Sequence, residues 1–372
     1  MKKIAIVFAQ PSPYRVDLIA YLQNTYTHYE FCFFYGESVG TRDWDVGIEK
    51  LSSHKRVKLK WLKVKAFGDI RTIVYSSAVT EPLNDYNPDV VIASEYNAIA
   101  LDALKWARKH KKPYISWTDG TPYSERNINK IQKLQRKYVI KYAEAYIASS
   151  SKSKEVQMSY GAESSKIWTS LLTVDINKYL VERKTGSTPT LVFVGSLIER
   201  KGLDLLIAAL SKITDIPYKV LVAGDGTEKG KYIQQAEQAG IMDRMKFLGF
   251  VTGSEMKHIY AQSDIFVMPT REDCFGLVLV EAMCAGLPIL VSKYADGAYE
   301  VVEEGVNGQI FDPYDVESTA KLLADSLTNM ERMKNWGAES LKRVGRFSLD
   351  NVAAPILEAI DYVLQGENEH EA

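Results

Sequence analysis

The sequence predicts an α/β protein made of two Rossmann-like domains joined once in the middle. Three observations predict this. Short apolar runs alternate with helical patterns along the chain, as βαβ units require. The rhythm breaks at the polar stretch "ERKTGSTPT", which holds a Gly and a Pro, and then restarts. The length of 372 residues matches two domains of about 150–200 residues each.

In the first half, Ile4–Phe8 reads as a strand, followed by "AQPSPYR" and a helix near Val16–Leu22. Phe31–Tyr35 is the next strand. Val57–Val64 alternates basic and apolar residues, as a half-exposed strand does. Asn87–Ser94 is a turn feeding a buried strand. A helix over Ala98–His110, a strand at Tyr114–Trp117, a helix over Arg126–Tyr142 and a strand at Ala145–Ala148 complete the half. The rhythm fails over Asp175–Pro189.

In the second half, Thr190–Ser196 is a strand and Lys201–Ile213 a helix. Strand Tyr218–Gly226, helix Glu228–Ala239, strand Met245–Val251 and helix Ser254–Gln262 follow. Asp264–Thr270 is a strand, "REDCFGLVLVEAMCAGLP" supplies a helix, and Leu287–Lys293 is the strand after it. A last helix lies near Leu349–Leu364 and can pack on either domain.

Composition removes several classes. Hydrophobic content of 46% and charged content of 25% are ordinary for a globular chain. Cys32, Cys274 and Cys284 have no metal-like spacing, which fits a reducing cytoplasm. Ile4–Phe8 is too short for a signal-peptide core, and no run of about 18 apolar residues is present to span a membrane. The net charge of −1 conceals an asymmetry. Residues 1–180 hold 27 Lys and Arg against 18 Asp and Glu, whereas 181–372 hold 19 against 29. A basic first domain favours an anionic surface or acceptor, though solvated surface variation gives the same count. Near-neutral overall charge and the lack of a recognisable module argue against nucleic acid as a partner.

Ligands of open parallel sheets bind beyond the carboxyl ends of strands. In the second domain those ends carry Ser196 with Arg200 and Lys201, then Gly224 and Gly226, then Phe250 and Val251, then Arg271–Gly276. Arg and Lys neutralise phosphate oxygens. The helix start near Gly276 favours an anion as well. Together these features describe a diphosphate site. Asp273 and Glu281, eight positions apart, suit hydroxyls rather than phosphates, and a sugar or a ribose offers hydroxyls.

The run from Asp273 to Glu281, followed by "AMCAGLP", resembles the E-x7-E signature of the retaining glycosyltransferases of family 4, which have the GT-B fold. "GSLIERKGLDLLIAA", "LVAGDG", "FLGFV" and "GLPILVSKYADGAYEVVEEGVNGQIFDPYD" resemble further segments of that family, and "QPSPYRVDLIAYL" its first loop. The resemblance implies two Rossmann-like domains whose parallel sheets face a central cleft. An acceptor-side domain would occupy 1–180 and a donor-binding domain 181–348. The helix over 349–372 would pack back on the first domain, and a hinge would lie near Thr185–Pro189.

The resemblance also implies roles. Arg200 and Lys201 bind the donor diphosphate, and Glu281 accepts hydrogen bonds from the nucleotide ribose. Asp273 holds a hydroxyl of the donor sugar. Backbone N–H groups of Cys274, Phe275, Gly276, Leu277 and Val278 meet sugar and phosphate, and Phe250 and Val251 lie along the base. The family needs no metal and no cofactor beyond its UDP- or GDP-sugar donor. The implied reaction moves a hexosyl group, with retention, to a glycan or lipid-linked acceptor in cell-surface polysaccharide or lipopolysaccharide assembly. Departures are Asp for the usual Glu at 273, with Glu272 beside it, and Ser196 where the family often has Arg. "ISWTDG" stands where it often has His, which brings Thr118 or Asp119 to that place, and Asp119 would orient sugar or acceptor.

In the first domain, Arg56, Lys58 and Lys60 alternate with Val57, Leu59 and Trp61. In "INKIQKLQRKYVIKYA", Ile128, Ile131, Leu134 and Tyr138 recur at helical spacing among Lys130, Lys133, Arg136, Lys137 and Lys141. Such a helix either faces the core or docks peripherally on anionic lipid at the inner face of the membrane. Two rival functions share the architecture: a sugar-nucleotide epimerase, which needs an acid–base cluster not apparent here, and a non-catalytic sugar-nucleotide or glycan-binding subunit.

Overall fold

The computed structural model describes residues 1–36, 46–66, 69–184, 186–251 and 253–371. The chain divides into two compact units: Met1–Thr173 together with the segment from Leu349 onward, and Val174–Ser348. Thr185, the first residue of the expected hinge, lies outside the described residues.

The first unit contains strands β1 (Lys2–Phe8), β2 (Tyr29–Gly36), β3 (His54–Val57), β4 (Leu59–Ala66), β5 (Asp69–Ser77), β6 (Val90–Ser94), β7 (Tyr114–Thr118), β8 (Ala145–Ala148) and β9 (Ile167–Thr169). Its helices are α1 (Pro13–Thr25), α2 (Thr80–Tyr86), α3 (Ala98–Lys109), α4 (Lys130–Tyr142) and α5 (Ser151–Ser159). Among the described residues a seven-stranded sheet runs β3-β2-β1-β6-β7-β8-β9. Its pairings are parallel. Both faces are covered, so β6, β7 and β8 are apolar runs rather than alternating ones.

The second unit contains β10 (Thr190–Val194), β11 (Lys219–Ala223), β12 (Met245–Gly249), β13 (Ile265–Met268), β14 (Ile289–Ser292) and β15 (Gly308–Phe311). Its helices are α6 (Ile176–Tyr179), α7 (Leu203–Leu210), α8 (Lys229–Gln238), α9 (Gly253–Ala261), α10 (Leu277–Cys284), α11 (Ala298–Val301), α12 (Val316–Thr328) and α13 (Met330–Arg343). The sheet order is β12-β11-β10-β13-β14-β15, all parallel.

The last helix, α14 (Leu349–Glu371), belongs to the first unit. Val352, Ala353, Ile356, Ala359, Ile360 and Val363 recur at helical spacing and enter the core formed by β1, β6 and β8. Each Val or Ile buried this way contributes about 1.5–3 kcal/mol. Ser170 Oγ donates to the Val352 carbonyl at 2.8 Å and fixes the register of the helix start.

Two expectations change. The single strand over Val57–Val64 is two. β3 stays in the parallel sheet, whereas β4 leaves it and pairs antiparallel with β5. Trp61 is therefore 40% exposed, because the apolar side of β4 extends past the core that buries Val57. The helix expected from Arg126 begins at Lys130, where Asn129 and Gln132 form a reciprocal capping box.

Candidate functional site

Both sheets reverse direction of growth at one point, and that point is where loops diverge and leave a crevice. In the second unit it lies between β10 and β13. The loop after β10 carries Ser196, Arg200 and Lys201, and the loop after β13 carries Arg271–Gly276.

Close backbone packing builds this edge. Gly224 follows β11 with φ 144°, and a Cβ there would overlap the Gly195 carbonyl oxygen. Gly202 caps α7 with φ 72°, and a Cβ there would overlap the Pro269 carbonyl. Only glycine fits such approaches. The Arg200 carbonyl accepts from the Arg271 N–H at 2.8 Å and from Thr270 Oγ1 at 2.9 Å. Arg271 itself points away from the crevice, donating to both Asp204 carboxylate oxygens, at 2.8 and 2.5 Å, and to the Glu199 carbonyl at 2.6 Å. The loop after β10 is thus tied to the loop after β13.

On this frame, Lys201 Nζ donates to Asp273 Oδ2. Arg200 Nη1 lies 3.9 Å from the same oxygen and donates to the Glu272 carbonyl at 2.9 Å. The Phe275 N–H donates to Asp273 Oδ1 at 3.3 Å. Burial pushes the Asp273 carboxyl up, but the Lys201 and Arg200 charges and the Phe275 N–H outweigh it and hold it below the usual carboxylate range. Asp273 is therefore ionised, with two cations beside it.

Gly276 precedes α10, whose first N–H groups lack intrahelical partners and face an anion favourably. Phe275 is buried edge-on against Phe347, ring centroids 6.3 Å apart, so only its backbone is available at the edge. Leu277 and Val278 are half-buried; Leu279, Val280, Ala282, Met283 and Cys284 are core. Glu281 is the half-buried carboxylate of this helix. Burial raises its carboxyl, and hydrogen bonds from Tyr260 and Tyr179 draw it part of the way back. Sequence reading missed both tyrosines, since a Tyr in an amphipathic helix carries no signal of its partner. Ser196 and Phe250 are exposed at the ends of β10 and β12, Phe250 at 70%, and Val251 is half-buried. Gly226 follows Asp225, whose side chain accepts from its N–H at 2.8 Å. Cys274 lies in the same loop and forms no disulfide.

Asp119 belongs to the first unit, where the switch point lies between β1 and β6. It follows β7 and accepts from Arg15 Nη2 at 2.5 Å and from Ser149 Oγ. Arg15 is 2% exposed and its guanidinium lies 4.2 Å from the Trp117 ring centroid. Trp117 Nε1 donates to Ser149 Oγ at 3.0 Å. Glu95, just after β6, has a φ of 65°, uncommon for a residue with a side chain. It accepts from the Asp119 N–H at 2.7 Å and from Thr118 Oγ1 at 3.1 Å. Burial and the Asp119 charge push its carboxyl up to about 7.

Residues 180–343 match the family model of the glycosyl transferases, group 1. The second unit is a group 1 glycosyl transferase domain. An uncharacterized glycosyltransferase of Methanocaldococcus jannaschii is 36% identical over 131 residues, 35% of this chain and 33% of that protein. A GDP-mannose-dependent alpha-mannosyltransferase of Corynebacterium glutamicum is 26% identical over 309 residues, 79% of this chain and 72% of that one. The chain spans a third to a half of the first two curated relatives it matches, at 33% and 53% of their lengths. Among solved structures, the lipopolysaccharide outer core galactosyltransferase WaaB has a TM-score of 0.76 at 18% identity, covering 97% of this chain and 99% of that one. Anabaena HepE in complex with UDP also gives 0.76 at 18%, covering 97% and 100%. The fold of the chain is GT-B, with a parallel-sheet Rossmann-like domain in each unit.

Proposed function

We propose that the protein is a retaining glycosyltransferase that moves a hexosyl group from a UDP- or GDP-sugar to a hydroxyl of a glycan or lipid-linked acceptor. The observation that carries this reading is the second unit's switch point, where Arg200, Lys201 and the start of α10 meet Asp273, with Glu281 farther along the helix. Cleavage of the glycosyl–phosphate bond leaves negative charge on the diphosphate. Arg200, Lys201 and the first N–H groups of α10 stabilise that charge from fixed positions. Asp273 keeps Lys201 directed into the crevice and offers its remaining lone pairs to a sugar hydroxyl. Glu281 takes the ribose hydroxyls. No step in this reaction calls for a metal, since the two cations and the helix end meet the departing diphosphate. Asp119 orients the sugar or the acceptor.

Thermal stabilisation and slow hydrolysis across a panel of UDP- and GDP-sugars test this. One donor is expected to stabilise the protein and to be hydrolysed, with the α or β anomer released first read by NMR. Binding without turnover, with or without glycan added, would favour the non-catalytic subunit instead.

The first unit supports a place for this reaction at the inner face of the membrane, in assembly of a cell-surface polysaccharide or lipopolysaccharide. Ile131 and Leu134 on α4 are 69% and 66% exposed, while the helix buries Val139 and Ile140. Of the stripe, Ile131 and Leu134 thus face outward among Lys130, Lys133, Lys137 and Lys141, whereas Tyr138 packs against the core. No helix among the described residues is long and apolar enough to cross a bilayer. Sedimentation with vesicles rich in anionic lipid at low salt is the expected outcome; equal recovery with neutral vesicles would remove this part of the reading.

A further inference from the structure

Glu281 lies on a helix whose neighbouring residues are core, yet two phenols rather than cations set its charge. Tyr260, on α9, is fully buried and donates its Oη to Glu281 Oε2 at 2.9 Å. Tyr179, the last residue of α6, hydrogen-bonds the same carboxylate. Its ring meets that of Tyr260 edge-on, centroids 6.3 Å apart at 70°. A carboxylate offers about four lone-pair positions, and the phenols leave the others for a ligand.

We propose that Tyr260, seconded by Tyr179, is a positioning residue for the donor nucleotide: it fixes the Glu281 carboxylate so that its free lone pairs receive a vicinal diol. This rests on the nucleotide-sugar site proposed above. The geometry explains why a tyrosine occupies a fully buried position of α9, where a phenylalanine would fill the space without a polar group to satisfy. The titratable groups facing Glu281 are Tyr260 from α9, Tyr179 from α6 and Cys284 on α10, with Asp175 at the start of α6 acting on Cys284. Burial, and then the Glu281 charge, hold the Tyr260 phenol well above its ordinary range, and the same causes push the Cys284 thiol up to about 12. Both stay protonated up to pH 8, so Glu281 is the group among them whose charged form the Tyr260 hydrogen bond favours.

Calorimetric binding of UDP and GDP to the full chain tests the assignment, with wild type, Tyr260→Phe and Tyr179→Phe compared at pH 8 and pH 6. The wild type is expected to prefer the ribonucleotide over its 2′,3′-dideoxy analogue at both pH values. Tyr260→Phe keeps the ring and its packing, and an unchanged far-UV circular dichroism spectrum with a cooperative melt will confirm that the fold is kept. It removes the hydrogen bond that lowers the Glu281 carboxyl, so a larger fraction is protonated as the pH falls. Its affinity for the ribonucleotide is expected to drop about tenfold at pH 6 and less at pH 8, and its preference over the dideoxy analogue to shrink. Tyr179→Phe is expected to do the same more weakly. A Tyr260→Phe protein with the pH profile and ribose preference of the wild type overturns the assignment. Failure of the wild type to bind either nucleotide overturns the donor site itself, and this role with it.

Discussion

The two switch points share a topology and differ in what holds them. In the second unit, the crevice between β10 and β13 is framed by backbone. Gly202 and Gly224 allow main chain to touch main chain, and the Arg200 carbonyl joins the two loops. The charged groups Arg200, Lys201 and Asp273 stand on that frame without carrying it. In the first unit, the crevice between β1 and β6 is held by side chains. Arg15 is buried under Trp117 and reaches Asp119 and Ser149, and Glu95 bridges to the next loop through Asp119 and Thr118. A backbone frame leaves its side chains free for ligand chemistry. A side-chain frame ties stability and chemistry to the same residues.

This difference can be broken at several points. The largest effect is expected for Gly224→Val, which forces a Cβ and its branches into the Gly195 carbonyl in a backbone region closed to Val. A loss of about 3–4 kcal/mol is expected in chemical denaturation of the second unit. Arg15→Met removes one member of a largely buried ion pair and leaves Asp119 without its cation. It is expected to destabilise the first unit by about 3 kcal/mol, read by the same measurement. Lys201→Ala leaves Asp273 with Arg200 and the Phe275 N–H, and Arg200→Ala leaves it with Lys201, so each should cost less than Arg15→Met, about 1 kcal/mol in the same measurement. Turnover at saturating donor should still fall at least about tenfold, because a charge-assisted contact to the diphosphate is worth roughly 1.5–3 kcal/mol. If Lys201→Ala melts as early as Arg15→Met, the contrast between the two frames is wrong.

The smallest expected effect concerns pH. The Glu95 carboxyl is raised from 4.5 to about 7 by burial and the Asp119 charge. Between those values the folded protein holds a proton that the unfolded chain releases. The contribution is complete below pH 4.5 and is lost as the pH rises through 7. Glu95→Gln abolishes that loss, so its stability relative to wild type should improve by at least ~1 kcal/mol from pH 5 to pH 8. Parallel stability–pH curves for the two proteins would show that Glu95 does not titrate there.

Legibility followed the same divide. The second unit's edge was readable because its determinants are local: glycines that close turns, cations after a strand, and two carboxylates at fixed spacing around a helix start. Lys201 and Asp273 do meet, although 72 residues separate them. The first unit's edge was not readable. Arg15 sits in "SPYR" with no cue that its partner lies 104 positions away, and Glu95 reads as an ordinary residue after a strand. The strand Val57–Val64 failed for a related reason. Period-2 alternation is identical in the parallel sheet and in a hairpin, and only the pairing with β5 shows that β4 has left.

By itself the sequence determined the α/β class, the two-domain order, most strands and helices, and the cluster of cations and carboxylate after β10 and β13. These depend on periodicity, turn residues and charge within a few positions of one another. Tertiary structure alone decided that Lys201 is held by Asp273, that Tyr260 and Tyr179 hold Glu281, that Arg15 lies buried beneath Trp117, and that Ile131 and Leu134 of α4 face outward. Each of these depends on which strand ends become neighbours and which helix face is covered, and such long-range pairings leave no mark in local pattern.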